Sequence, residues 1–208
     1  MKIAVVAAAG RSGVAFVEAA LAAGHQVRAG IRNTNPFREH PNLEVIHCDA
    51  THLPEVRTLL ASCDAVVSLI GHVKGSPARV QTVGIDIIIT VMEELSIKRL
   101  VSLTGTGVRF EGDRIGVIDR FANWSIGMID PQRIADGKEH VALIEASDLD
   151  WTIIRVLKLQ NIRPKPYVLT EYGPTKLVVG RSEVAQAILE VLTQNSFVKK
   201  APMLSLKK

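Results

Sequence analysis

Two glycines three residues apart, Gly10 and Gly13, separate an apolar run, Ile3 to Ala9, from an alanine-rich stretch, Val14 to Ala23. Glycines at that spacing let a backbone come close to a pyrophosphate. The helix that follows offers unpaired N–H groups and the positive end of its dipole. The residues placed to form such a cradle are Ala7, Ala9, Gly10, Arg11, Ser12 and Gly13. A Gly-x-x-Gly-x-x-Gly spacing would begin at position 7, where this chain has Ala7. If that position takes a positive φ, alanine costs roughly 1–2 kcal/mol there; if glycine serves only close approach, a methyl group is tolerated.

The next apolar run, Gln26 to Ile31, ends on Arg32, followed by Asn33 and Thr34, and no carboxylate occurs between His25 and Arg38. An acidic residue at this point of a dinucleotide-binding unit holds a ribose 2′-OH, whereas a cation receives a 2′-phosphate. Guanidinium groups match phosphate oxygens in a bidentate way. Arg32 and Arg11 therefore predict NADP(H). The alternative for Arg32 is a charge that solvates a strand end.

Residues just past strand ends face the ligand in an open α/β sheet. Asp49 closes the third apolar run and either accepts from an adenine amino group or holds a turn with Thr51. Gly71 lets adenosine or ribose lie against the backbone, and His72 is either a contact or a surface loop histidine. Thr104-Gly105-Thr106-Gly107 carries two hydroxyls that could orient a carboxamide, polarise a carbonyl or satisfy the loop backbone. Neither Tyr167 nor Tyr172 is followed four residues later by lysine. Asp136 and His140 stand at i,i+4 spacing, which permits an ion pair but is commoner on a mixed-charge surface helix. The histidines are scattered, so no metal site is expected.

Apolar runs alternate with helical patterns along the chain. Strands are predicted over Leu43–Asp49, Ala65–Gly71, Arg99–Thr104, Trp151–Arg155 and Met203–Leu206, with helices over Leu53–Ser62, Arg79–Leu95, Ile134–Ala146 and Glu183–Thr193. Thr51 is the expected cap of the Leu53 helix. Such alternation predicts a Rossmann-type α/β fold, a doubly wound parallel sheet with helices on both faces. Val108 to Arg133 breaks the pattern and reads as a substrate lid, a partner-docking helix or a packing insert.

Composition excludes several classes. The chain has 208 residues, 47% hydrophobic and 22% charged, which suits one globular domain spanning 1–208. Its net charge of +4 comes with lysines gathered at Lys199, Lys200, Lys207 and Lys208, and no aromatic residue is interleaved with them. That argues against a nucleic-acid partner. Cys48 and Cys63 lack metal spacing and suit a reducing compartment. Ile85 to Leu95 is broken by Asp86, Glu93 and Glu94, too charged to cross a bilayer. The apolar run after Lys2 stops at Gly10, short of a signal peptide. A cytoplasmic protein without membrane attachment is expected.

With these residues in place, the chain resembles the atypical short-chain dehydrogenase/reductase group, and within it the NAD(P)H-binding NmrA-like and flavin-reductase-like (biliverdin reductase B-like) members. The resemblance rests on Ala7-Ala-Ala-Gly10-Arg-Ser-Gly13, Arg32, Asp49-Ala50, Leu69-Ile-Gly71, Ser102-Leu-Thr-Gly105, Ala146-Ser-Asp-Leu-Asp-Trp151-Thr-Ile-Ile-Arg155 and Gly180-Arg-Ser-Glu-Val-Ala185. It implies that Ala50, Ile70, Gly71, Leu103 and Thr104 join the glycine turn, Arg32 and Asp49 around NADP(H). It also implies an oxidoreductase acting on a flavin- or quinone-like molecule, stacked near Thr104, Thr106 and Lys158. Segments 108–133 and 156–180 would form the substrate side. The alternative it carries is a non-catalytic NADP(H) sensor that recognises a protein through 108–133. Three departures stand out: Ala7 in place of glycine, the missing Tyr-x-x-x-Lys pair, and Val156-Leu157-Lys158 where the group has proline after Arg155.

Overall fold

Strand β1 (Lys2–Val6) sets up both cores, because a strand sends successive side chains to opposite faces. Ile3 and Val5 enter one apolar cluster and Ala4 and Val6 the other, all essentially inaccessible to solvent. This is how a continuous apolar run folds when helices cover both faces of a parallel sheet. The computed structural model describes residues 1–73 and 75–207; within the fourth helix the side chains at 126, 127 and 129 are outside the description. Lys208 of the basic tail lies outside the described residues.

Helix α1 (Arg11–Ala22) returns the chain to β2 (Gln26–Ile31), and β3 (Leu43–His47) follows at the sheet edge. Then come α2 (Leu53–Leu60), β4 (Ala65–Ser68), α3 (Val80–Glu94) and β5 (Arg99–Gly105). Helices α4 (Val117–Ile129) and α5 (Pro131–Ala146) precede β6 (Asp150–Val156). The short strands β7 (Lys158–Gln160), β8 (Tyr167–Thr170) and β9 (Val178–Gly180) lead to α6 (Arg181–Thr193) and β10 (Met203–Leu206). The main sheet runs β3-β2-β1-β4-β5-β6-β10-β8, parallel except for the β10–β8 pair. Strands β7 and β9 pair separately.

Helices α1 and α6 pack side by side on one face, with Phe16, Val17 and Ala20 against Val184, Ala187, Ile188 and Val191. Helices α2, α3 and α5 cover the other, through residues such as Leu59, Ile85, Ile88 and Ile144. The strand order reverses between β1 and β4, which opens the crevice at their C-terminal ends where such sheets take ligands.

The Rossmann-type expectation is met, and the differences are local. Helix α1 begins at Arg11 rather than Val14, since glycine at position 13 is accommodated inside the helix. Helix α5 begins at Pro131, a residue suited to the first turn, three residues before the expected start. Thr51 does not cap α2: its N–H and hydroxyl both go to Asp49, and His52 stands at the N-cap position with its side chain on Glu55 (2.8 Å) and not on the helix backbone. Within segment 156–180, Tyr167–Thr170 pairs antiparallel with β10. No helix among the described residues is long and apolar enough to cross a membrane.

Candidate functional site

The glycine turn leaves β1 through Ala7, whose φ of 61° is left-handed. The first alternative for position 7 therefore holds, and the methyl group is strained there. The turn is closed by Gly10 N–H to Ala7 O (3.0 Å) and Ala8 N–H to Gly30 O (3.0 Å). A Cβ at Gly13 would strike the carbonyl oxygens of Ala7 and Ala8, so only glycine lets α1 come this close to the strand. Ala9, Gly10 and Arg11 are exposed and Ser12 is half-buried. Gly10 caps α1 without a side-chain bond, and the first turn carries no acidic residue. The free N–H groups and dipole end of α1 thus face the crevice, and among the described residues no side chain bonds to them.

The start of α6 is the useful contrast. Gly180-Arg-Ser-Glu-Val-Ala185 differs from Gly10-Arg-Ser-Gly-Val-Ala15 at a single position. There Glu183, 2% exposed, folds its carboxylate back over the helix start, accepting from Ser182 Oγ (2.7 Å) and Lys165 N–H (2.8 Å). One helix start is filled from within, and the other is open.

On the ribose side, the half-exposed Arg32 guanidinium lies 3.5 Å from Asp49 Oδ2. Asp49 Oδ1 accepts from Thr51 N–H (2.9 Å) and Thr51 Oγ1 (2.7 Å), and these bonds, reinforced by Arg32, hold its carboxyl below the usual range. Asp49 therefore forms the turn with Thr51. Ala50 and Ile70 are brought together over α3, since a Cβ on Gly84 would meet Ile70 Cδ1 at 2.6 Å and Ala50 Cβ at 3.4 Å. Gly71 is exposed, with nothing within 4 Å of where its Cβ would be.

At the end of β5 the two threonines part company. Leu103 is half-buried and Thr104 nearly buried; a Cβ on Gly137 of α5 would lie 3.6 Å from the Thr104 hydroxyl. Thr106 is fully buried, and its hydroxyl accepts from Asn123 Nδ2 of α4 (3.0 Å). Thr106 therefore anchors α4 instead of facing a substrate, which corrects its expected role. Lys158 is exposed at the start of β7, and among the described residues no ion pair holds its ammonium.

The reading of Asp136 and His140 as surface charges is overturned: each is 2% exposed, and they do not pair. Asp136 caps α3 from outside, accepting from Gln81 N–H (2.9 Å), Thr82 N–H (2.9 Å) and Thr82 Oγ1 (2.5 Å). It also accepts from His72 Nε2 at 2.7 Å. Burial works against ionising this carboxyl, but the bonds from Thr82, Gln81 and His72 outweigh it and leave it below the usual range. His72 is thus neither a free loop histidine nor a bare contact: its side chain, 12% exposed, is oriented by Asp136 just past β4. Sequence reading missed this pair because 64 residues separate the partners. His140 instead approaches Ser102 Oγ at 3.0 Å, and burial pulls its pKa down to about 4. Ser102 is 1% exposed and the carboxylate faces α3, so Ser102, His140 and Asp136 do not make a nucleophilic triad.

Arg155, fully buried, fixes the wall behind the site. It binds Asp113 bidentately (2.6 and 2.8 Å), donates to Ala201 O (2.7 Å) and stacks over the Phe110 ring at 4.6 Å. The loop after β5 is thereby tied to β6.

This arrangement can receive a dinucleotide: an uncapped helix start for a pyrophosphate, Arg11 and Arg32 for a further phosphate, and a small-residue floor at Ala50, Ile70 and Gly71. A family model described as NAD(P)H-binding matches residues 7–195. An uncharacterised chloroplastic protein of Arabidopsis thaliana is 24% identical over 205 residues, covering 93% of this chain and 72% of that protein. Among solved structures, a short-chain dehydrogenase/reductase from Veillonella parvula in complex with NADP superposes with a TM-score of 0.83 at 16% identity, covering 98% of this chain and 94% of that one. A candidate NADH-flavin reductase from Streptococcus pneumoniae superposes with a TM-score of 0.78 at 20% identity, covering 100% of both.

Proposed function

The chain belongs to the NAD(P)H-binding family, and on that premise we propose that it is an NADPH-dependent reductase of a flavin- or quinone-like small molecule. The observation that carries this reading is the open start of α1 flanked by Arg11, with Arg32 as the cation at the end of β2. Backbone N–H groups of Arg11, Ser12 and Gly13 would bind the pyrophosphate, and Arg32 the 2′-phosphate. Ala50, Ile70 and Gly71 would carry the adenosine half, and Leu103 and Thr104 the nicotinamide half. When bound, the reduced nicotinamide supplies a hydride; the protein supplies orientation and electrostatics. Thr104 and Lys158 would face the acceptor, and His72 offers a further polar group on the same rim. The lack of a Tyr-x-x-x-Lys pair suits an acceptor that needs no fixed phenolic proton donor.

A second reading, an NmrA-like NADP(H) sensor, is favoured by one feature: the apolar outer face of α4 beside the site. One titration separates the two. The purified chain is titrated with NADPH and NADH, then given a flavin or a quinone while nicotinamide absorbance is followed. Acceptor-dependent oxidation supports the reductase, binding without oxidation the sensor, and no binding of either nucleotide overturns both. Arg32→Ala tests the cofactor preference. A charge-assisted bond already shared with Asp49 is worth about 1.5 kcal/mol, so NADPH Kd should rise about twelve-fold while NADH is unchanged. Equal losses for both nucleotides would refute the 2′-phosphate role.

A further inference from the structure

Among its described side chains, helix α4 turns two polar groups inward: Asp119, 3% exposed, pairs with Arg109 at 2.6 Å, and Asn123 one turn later bonds Thr106 and Asp119. Its outward side carries Val117, Ile118, Phe121, Trp124 and Met128, each between 61% and 85% exposed. The rings of Phe121 and Trp124 lie 5.8 Å apart, already associated on the surface. A lid that closed over the site would bury the polar side and leave this stripe in water. What covers it must come from outside.

The spacing says what. Positions 117, 121, 124 and 128 follow the four-three-four rhythm of a coiled-coil seam. The stripe is also symmetric: 117 and 128 share a midpoint with 121 and 124. Two such helices placed antiparallel about a two-fold axis set Val117 against Met128 and Phe121 against Trp124, each pair occurring twice. That self-complementarity is what an isologous contact requires. Side chains of this size at these exposures present roughly 600–700 Å² per copy, above the patch that monomers usually leave in water. Pairing two copies would cover at most about 1,200–1,400 Å², the lower end of stable specific interfaces. Among the described side chains of α4, Arg120 is the one exposed charge, which does not suit an anionic membrane.

We propose that a second copy of this chain covers the stripe, forming a two-fold dimer through antiparallel α4 helices. Sedimentation of the full chain from about 1 to about 100 µM, at and above the micromolar limit of affinity for standard-size interfaces, should show a particle of twice the 22.6 kDa chain mass. Trp124→Glu should weaken association at least about thirty-fold, with far-UV circular dichroism unchanged. Val117→Lys and Met128→Glu should each weaken it, and the double variant should restore it, because antiparallel pairing sets Lys against Glu. A wild-type chain that stays monomeric throughout overturns the proposal, as does a dimer indifferent to Trp124→Glu. Failure of the double variant to recover overturns the antiparallel register. A monomer that floats with anionic phospholipid vesicles would assign the stripe to a membrane surface instead.

Discussion

Ala7→Gly should make this protein more stable, against the usual cost of putting glycine into a structured segment. Ala7 sits at φ 61°, where its Cβ crowds the following carbonyl, a conformation that costs roughly 1–2 kcal/mol for a residue with a side chain. Glycine removes that strain but adds about 0.4–1 kcal/mol of entropy to the unfolded chain. The difference leaves a net gain of about 0.5–1 kcal/mol, or about 1–4 °C in Tm for a chain of this length. The substitution keeps the turn bonds, because Gly10 N–H reaches the backbone oxygen at position 7. Urea midpoints of wild type, Ala7→Gly and the control Ala9→Gly settle it. Ala9 has no left-handed φ, so its variant should be neutral or slightly less stable. A loss of stability in Ala7→Gly matching that in Ala9→Gly would refute the strain argument.

Two further outcomes follow from the buried polar groups. His140 holds its proton only below about pH 4 when folded, against 6.5 for an unburied imidazole. The unfolded chain therefore binds more protons between those values, so the contribution is complete above about pH 6.5 and falls away toward pH 4 at up to about 1.4 kcal/mol per unit. Urea midpoints at about pH 5 and about pH 7 should converge in His140→Gln; an unchanged difference would place the dependence elsewhere. Asp113→Ala strands the fully buried Arg155 guanidinium and should cost about 3–5 kcal/mol by denaturant titration. A loss under about 1 kcal/mol would show that Arg155 reaches water once the loop is freed.

The frame was legible because its signals are local. The apolar strands, the Gly10–Gly13 turn and the end of β2 at Arg32 lie within short windows, and periodicity alone places them. Boundaries slipped where a residue tolerated more than its type suggests, as with Gly13 inside α1. What sequence left hidden depends on distant partners. His72 and Asp136 meet only because α5 packs on α3, and Thr106 is withdrawn from the site because Asn123 claims it from α4. Position 7 was legible as a choice between strain and close approach, and only the backbone dihedral decides it. Strands β7 and β9, of three residues each, are too short for an alternating pattern to register.

The two near-identical helix starts, at Gly10 and Gly180, bear on stoichiometry. They lie on neighbouring helices with the same glycine, arginine and serine, so a phosphate group meeting this face of the molecule would find two docks of one shape. Glu183 turns that pair into a count of one, because its side chain already fills the second, accepting from Lys165 N–H and Ser182 Oγ. On the proposed reading, the difference between Gly13 and Glu183 is a single-residue address label that would direct a nucleotide's phosphates to one end of the crevice.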